Sequence, residues 1–416
     1  MVSHHKSKSN RRAKLALCFT LSLAGVCLPL IANSESKPAM AHHKMAKPAD
    51  KKACTAIDIK CAKTATLAVA PNGDVWRLWS QQQAMYFQIS TDQGEHFLAT
   101  KKVDIPAEKI SARNENRPKI AFDNKQGVYL SWAMPRERKY TADIRFSYSS
   151  DYGKSFSKPI TVNNDNLLTG HSFNELLVNE QGDISIVWLD GRLRDRAKGD
   201  QGSAIFLGQA NILKQQTTFT NQALANGTCV CCRVAIDENT SGNLAVLWRH
   251  IYGDNIREFA LLTVNEQETP HQVSFDHWKI NGCPHQGGGL SIDNENRYHM
   301  VWFNLGDEGK GPFYARSQNG GKQLTKPMAL GDYMKQAAHP HVSAQGDRVD
   351  IVWTQYNGIE HQLWYQSSND AGNSFSEAKV IATSAKGADR PFIVKGNTER
   401  YISWHRNQQG HWVSKL

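Results

Sequence analysis

The stretch "RVDIVWTQYNGIEHQLWYQSSNDAGNSF", residues 348–375, decides how the rest of the chain is read. It opens with an apolar, alternating run that closes on Trp353, turns, and continues in a second alternating run, "QLWYQSS". The polar turn "SNDAGNSF", 368–375, ends it. Runs of about five residues with a period of two, separated by turn residues, read as β-strands of an antiparallel meander.

The unit is repeated. A tryptophan closes the corresponding strand in "DVWRLW" (Trp79), "VYLSW" (Trp132), "ISIVW" (Trp188), "LAVLW" (Trp248), "YHMVW" (Trp302), "VDIVW" (Trp353) and "RYISW" (Trp404), at spacings of 53, 56, 60, 54, 51 and 51 residues. Ahead of it lies a short strand ending in a polar turn such as "AFDNKQG", "LVNEQGD", "SIDNENR" or "VSAQGDR". After it come a third strand, as in "DIRFSYS", and a looser fourth. A meander this short cannot bury a core alone; stacking the units into a closed ring supplies the core and protects the sheet edges. The expected fold class is all-β, a β-propeller of four-stranded antiparallel blades, with seven blades and six as the alternative. The last unit ends at Leu416 after three strands, so its outer strand is expected from the N-terminal side.

The turn between third and fourth strands reads "STDQGEHF" at 90–97, "SSDYGKSF" at 149–156, "SNDAGNSF" at 368–375 and, degraded, "SQNGGKQL" at 317–324; units three and four lack it. It resembles the Asp-box, S-x-D-x-G-x-[ST]-[FW], of sialidase-like (BNR-repeat) propellers. Asp92, Asp151 and Asp370 are suited to accept backbone N–H bonds inside a tight turn, and Gly94, Gly153 and Gly372 supply a positive φ. Phe97, Phe156 and Phe375 then pin the turn. The resemblance implies that these boxes lie on the rim, away from any site.

The N-terminus reads as an export signal. Lys6, Lys8, Arg11, Arg12 and Lys14 precede the apolar run "LALCFTLSLAGVCLPLIA", 15–32, and an A-x-A site at "AMA", 39–41. The domain reading is a signal peptide 1–41, a lysine- and alanine-rich linker 42–62, and a single propeller domain 63–416. The expected location is periplasmic or secreted, with no membrane span after cleavage and a monomeric chain. Removing 1–41 takes the net charge from +10 to +5, and Lys and Arg are scattered among acids, so no nucleic-acid partner is expected.

Six cysteines remain: Cys54, Cys61, Cys229, Cys231, Cys232 and Cys283. In an oxidising compartment an even count admits disulfides, Cys54–Cys61 as a local one and two more among the rest. A cysteine beside Arg233 is also suited to redox chemistry.

In a propeller the first strand of each blade lines the channel, and ligands sit where those strands and the loops before them converge. Those segments are "NRPKIAF" with Arg117, "GHSFNELL" with His171, Asn174 and Glu175, "TCVCCRVAI" with Cys229, Cys231, Cys232 and Arg233, "GCPHQGGGL" with Cys283 and His285, "AAHPHVSA" with His339 and His341, and "DRPFIV" with Arg390. Thiols and imidazoles brought together from separate loops are ligands for a soft or borderline metal, copper first and zinc second. "MAHHKM", 40–45, adds a Met/His segment of the same character. The principal expectation is therefore one Cys/His metal cluster at the channel mouth made from Cys229, Cys231, Cys232, Cys283, His285, His339, His341 and His171, of which three or four are true ligands.

The alternative is an exo-acting glycoside hydrolase or a glycan-binding propeller whose cysteines are structural and which needs no metal. The sialidase resemblance implies an arginine triad that clamps a substrate carboxylate, placed by position on Arg117, Arg233 and Arg390, with Glu175 or Asp190 as catalytic carboxylates. The family's F/Y-R-I-P motif is met only by "NRP" and "DRP", and no nucleophilic tyrosine stands out. Enzyme activity is left open between a glycoside hydrolase and a metal or thiol redox protein.

Overall fold

The computed structural model describes residues 54–194, 202–267 and 269–416; the export signal and most of the 42–62 segment lie outside them. The signature tryptophans all fall on the second strand of a meander: Val75–Gln81, Val128–Pro135, Ile184–Asp190, Leu244–Tyr252, Tyr298–Gly306, Arg348–Tyr356 and Arg400–Arg406. Each pairs antiparallel with an inner strand: Thr66–Val69, Lys119–Phe122, His171–Val178, Ala235–Glu238, Gly289–Ile292, Ala338–Gln345 and Phe392–Lys395. Each inner strand touches the next, and the first touches the seventh, so the seven blades close a ring. Among the described residues no helix is long and apolar enough to cross a membrane.

Blades 3 and 4 form one eight-stranded sheet. The outer strand of blade 3, Gln216–Thr228, runs on for 13 residues until Thr228 pairs with His250 of the next blade. In blade 3 the short 3-10 turn Ile212–Lys214 links the third and fourth strands where other blades have the S-x-D-x-G turn.

The core lies between blades rather than within them. In blade 3, Ile184, Ile186 and Trp188 pack with blade 2, whereas Val187 and Leu189 pack with blade 4. The period-two alternation of a strand thus feeds two neighbouring cores at once. Trp132, Trp188, Trp248, Trp302, Trp353 and Trp404 each face the preceding blade, and all seven indoles are 0–1% exposed.

The box turns serve the same seams. In blade 2, Gly153 N–H donates to Ser149 Oγ (2.8 Å), and Asp151 Oδ1 accepts from Ser155 N (2.9 Å). The same bonds recur at Ser90, Asp92 and His96 and at Ser368, Asp370 and Ser374. Gly153 lies at φ +76°, and a Cβ there would sit 2.8 Å from Trp76 of blade 1; at Gly372 (φ +77°) it would sit 2.0 Å from Tyr314 Oη of blade 5. The phenylalanines pack into the seam with the preceding blade as well, not only onto their own.

Two expectations are corrected. Blade 7 has three strands, and no N-terminal strand completes it among the described residues. The edge strand Gly410–Lys415 is instead covered by the short 3-10 turn Ile59–Cys61, which the Cys54–Cys61 disulfide closes. Covering an edge leaves it as protected as pairing it. The end of the segment read as a linker is therefore built into the domain: Ile59 and Ala62 pack on Trp79, and Gln81 Nε2 donates to Ala56 O (2.7 Å).

Trp353→Ala is expected to lower the free energy of unfolding by about 3–5 kcal/mol, since it empties one seam of its largest side chain. Gly372→Ala is expected to cost about 1–2 kcal/mol from the left-handed backbone, with the clash on Tyr314 added. Chemical denaturation of both variants against the parent checks these values.

Candidate functional site

Register fixes which residues ring the channel. In every blade the residue before the signature tryptophan pairs with one inner-strand residue: Leu78 with Thr66, Ser131 with Lys119, Val187 with Glu175, Leu247 with Ala235, Val301 with Gly289, Val352 with His341 and Ser403 with Phe392. Two residues earlier stand Thr64, Arg117, Phe173, Arg233, Gly287, His339 and Arg390. One position of the repeat thus carries arginine in blades 2, 4 and 7 and histidine in blade 6. In blades 3 and 6 the inner strand bulges there, and Phe173 and His339 take positive φ values of 55°. A bulge re-aims a side chain without ending the strand.

Arg117 and Arg233 are buried and Arg390 is half-buried, and Arg117 and Arg390 are only partly satisfied. Arg117 donates from Nε to Asn114 O (2.6 Å) and from Nη1 to Ala65 O (3.0 Å), with Nη1 2.7 Å from Asp389 Oδ2. That ion pair is close but not an aligned hydrogen bond, and neither Asp389 oxygen makes one. Arg233 donates to Gly288 O and lies 3.7 Å from Glu115. Phe392 lies under both guanidiniums, 4.7 Å from Arg117 and 5.1 Å from Arg233, and packs on the His341 ring. Three polar atoms at this place are buried without a hydrogen-bond partner, Arg117 Nη2, Arg390 Nε and His339 Nδ1, as are others elsewhere among the described residues. Here the three come from blades 2, 7 and 6 and are free to bond a ligand or water.

Electrostatics follow from this crowding. Burial lowers the Arg117 pKa against the pull of Asp389 and Glu115, and Arg390 and Arg233 lie close enough to push the same way as burial. Burial raises Asp389 to about 6, opposed by Arg117. Burial and the neighbouring arginines hold His339 well below the ordinary histidine value, and burial with Arg233 does the same for His341, so both imidazoles are neutral at pH 7. One layer down, Lys119 Nζ donates to Glu175 Oε1 at 2.6 Å, tying blades 2 and 3.

The single Cys/His ring expected from the sequence divides into four places. His339 and His285 lie together with Arg233 and Arg390. His341 accepts from Ile393 N (3.2 Å), a contact between blades 6 and 7. His171 belongs to neither group: it is fully buried, with Nδ1 on Ala142 O (2.6 Å) and Nε2 3.1 Å from Asp165 and 3.5 Å from Asp190. Asp190, expected near the channel, also accepts from Trp188 Nε1 (2.8 Å) and is paired with Arg192. The Asp165, His171 and Asp190 ligand atoms are close enough together to hold an ion, and Arg192 lies against both carboxylates, offsetting one of their two charges.

The thiols form their own nest. Cys229, Cys231 and Cys232 are buried and free, their sulfurs lie within 4.8 Å of one another, and Phe173 and Val230 pack around them. Such a group is able to hold a metal ion. Cys283, exposed, reaches Cys231 from the loop ahead of blade 5. Neither further disulfide considered from sequence is formed among the described residues; Cys54–Cys61 is.

Sequence reasoning missed Glu115, Lys119, Asp389 and Phe392. Lys119, Asp389 and Phe392 sit in the segments it searched and Glu115 one residue ahead of them, but their roles come from partners on other blades. Glu115 and Asp389 stand in sequence near Arg117 and Arg390, yet they pair with Arg233 and Arg117.

No family model matches the chain, and no curated protein matches it in sequence. Solved structures do. An ulvan lyase of polysaccharide lyase family 25, also determined bound to -[GlcA(1-4)Rha3S]-, is 10% identical with a TM-score of 0.54 over 85% of this chain and 93% of its own. The polysaccharide lyase Uly1 is 9% identical with a TM-score of 0.51 over 84% and 88%. A lectin from Aleuria aurantia is 11% identical with a TM-score of 0.42 over 77% and 94%. At such identities the two lyases share the fold with this chain: it is a β-propeller.

Proposed function

We propose that this propeller binds an acidic glycan, seating a carboxylate or sulfate group of one sugar at the channel mouth among Arg117, Arg233, Arg390 and His339. The observation that carries the reading is the trio of buried, unpartnered atoms on Arg117, Arg390 and His339. An oxyanion accepts from several donors at once, and a charge-assisted bond to arginine is the strongest such contact. Asp389 and Glu115 hold two of the guanidiniums in place, and Phe392 offers them an aromatic floor. The shared fold lends support, since one lyase was determined with a unit containing glucuronate and a sulfated rhamnose bound to it. The proposed setting is the periplasm or the exterior, where the 1–41 signal would deliver the chain and where such polysaccharides are met.

A second reading concerns the thiols alone. Three free thiols within 4.8 Å support a thiophilic ion, copper first and zinc second, at the 229–232 loop rather than on a ring shared with the imidazoles.

The glycan reading is tested by calorimetry with oligosaccharides that carry uronate or sulfate and with neutral ones of equal length. Binding is expected for the acidic set only, weakening with salt. Arg390→Gln removes a guanidinium with an unpartnered Nε, and is expected to cost about 1.5–3 kcal/mol, roughly 10- to 100-fold in affinity, with the fold unchanged. Equal affinity for neutral sugars, or none for acidic ones, overturns the reading.

The pH dependence has a defined sign. As pH falls from 7 through about 6, Asp389 takes up a proton and the mouth loses one negative charge, so affinity for an anion is expected to rise. A sulfated oligosaccharide is the ligand to use, because its own charge is constant in that range. In Asp389→Asn the affinity is expected to be higher at pH 7 and the part of the pH dependence due to this carboxylate to vanish.

A further inference from the structure

The loop ahead of blade 5 is held hard against the loop ahead of blade 4. A Cβ at Gly287 would meet Arg233 Cβ at 2.5 Å and its backbone nitrogen at 2.8 Å, Gly288 O accepts from Arg233 Nε (2.9 Å), and Gln286 O accepts from Arg249 Nε (3.2 Å). This contact fixes Cys283 beside Cys231, so that thiols from two blades share one place. We infer that Cys229, Cys231, Cys232 and Cys283 together hold one closed-shell thiophilic ion, Cu(I) or Zn(II), as a clasp across the seam between blades 4 and 5. The inference rests on the thiol reading above and is independent of the arginine mouth.

Spacing is the first support. Cys229 Sγ and Cys231 Sγ are 3.8 Å apart. Thiolates bound at about 2.3 Å from one ion stand about 3.8 Å apart in a tetrahedron and about 4.0 Å in a trigonal plane. A disulfide would need about 2.05 Å. The three buried thiols are thus spaced for an ion between the sulfurs, whereas Cys283, which neighbours Cys231, lies outside that 4.8 Å group and must swing in from its exposed loop to become the fourth ligand.

Charge is the second. Each ligating thiol gives up its proton, so four thiolates leave the site negative even with the ion present. Burying that charge requires cations nearby. The Arg249 guanidinium, 1% exposed, faces Cys229 and Cys232, and Arg257 lies near Cys283. Arg249 is held for this by Asn304 Oδ1 (2.9 Å) and by Arg257 O (3.2 Å).

Access is the third. Three of the thiols are buried and Cys283 is exposed, so an ion arriving from solvent meets Cys283 first and passes inward by ligand exchange. Cys283→Ser is therefore the informative variant, because an exposed substitution leaves the core intact.

The test uses the reduced, metal-free full-length chain, titrated with Cu(I) and, separately, with Zn(II). Thiolate-to-metal charge transfer reports Cu(I), Co(II) replaces Zn(II) for visible spectroscopy, and thiols protected from alkylation are counted. One ion per chain and four protected thiols are expected, with affinity at least tenfold weaker in Cys283→Ser and lost in Cys231→Ser, while the metal-free melting temperature of Cys283→Ser matches the parent. An ion bound equally well by parent and Cys283→Ser overturns the clasp and leaves the three-thiol reading standing. Binding of neither ion overturns both.

Discussion

Burial of an indole in six of the seven seams between blades is the constraint on which this molecule depends. A four-stranded sheet has two faces, and neither is covered by its own strands. Here each face is covered by a neighbour, and in blades 2 to 7 the signature tryptophan of the second strand crosses the gap to the preceding blade, while Trp79 packs on the Ile59–Cys61 turn. Because every blade needs both neighbours, the ring must close. Closure between blades 7 and 1 is made by Leu67 and Val75 with Tyr401 and by Asn397 Nδ2 donating to Pro71 O (2.6 Å), and the buried Arg117–Asp389 pair ties blade 2 to blade 7.

That rigid frame sets the channel mouth. The residue before each signature tryptophan pairs with an inner-strand residue in all seven blades, and the position two residues earlier recurs with that register, shifted by a bulge in blades 3 and 6. What stands there varies: Phe173 packs into the seam of blades 3 and 4, whereas blades 2, 4 and 7 carry arginine. Arginine in three blades and histidine in a fourth concentrate positive charge and unpaired donors at one point, and the bulges of blades 3 and 6 adjust the aim without disturbing the strands behind. The two acids beside the arginines neutralise part of that charge, which is what permits so many guanidiniums to be buried together.

Chemistry of a second kind sits immediately behind. Cys232 and Arg233 are neighbours in sequence yet belong to different surroundings, the first facing Arg249 and the second facing the axis. The loop from Cys283 to Gly288 touches both, with its thiol on the nest, His285 beside His339, and its glycines against Arg233. Phe173 and Val230 pack over the thiols.

The sequence by itself determined the blade. Tryptophan spacing, strand alternation and the repeated S-x-D-x-G turn are local and periodic, and local periodic signals survive without knowledge of the fold. It also placed the search in the right segments, where Arg117, Arg233 and Arg390 are legible as a set. It put Cys229 and His171 on one ring because both precede an inner strand, but a position along the strand says nothing of which way a loop turns. Only the tertiary structure turned His171 and Asp190 inward onto Arg192 and Asp165, paired Lys119 with Glu175 across a seam, and covered the last edge with the Cys54–Cys61 turn in place of a strand. The reason is physical: these contacts join residues on different blades or on irregular backbone, and their energies depend on burial and distance that exist only once the ring has closed.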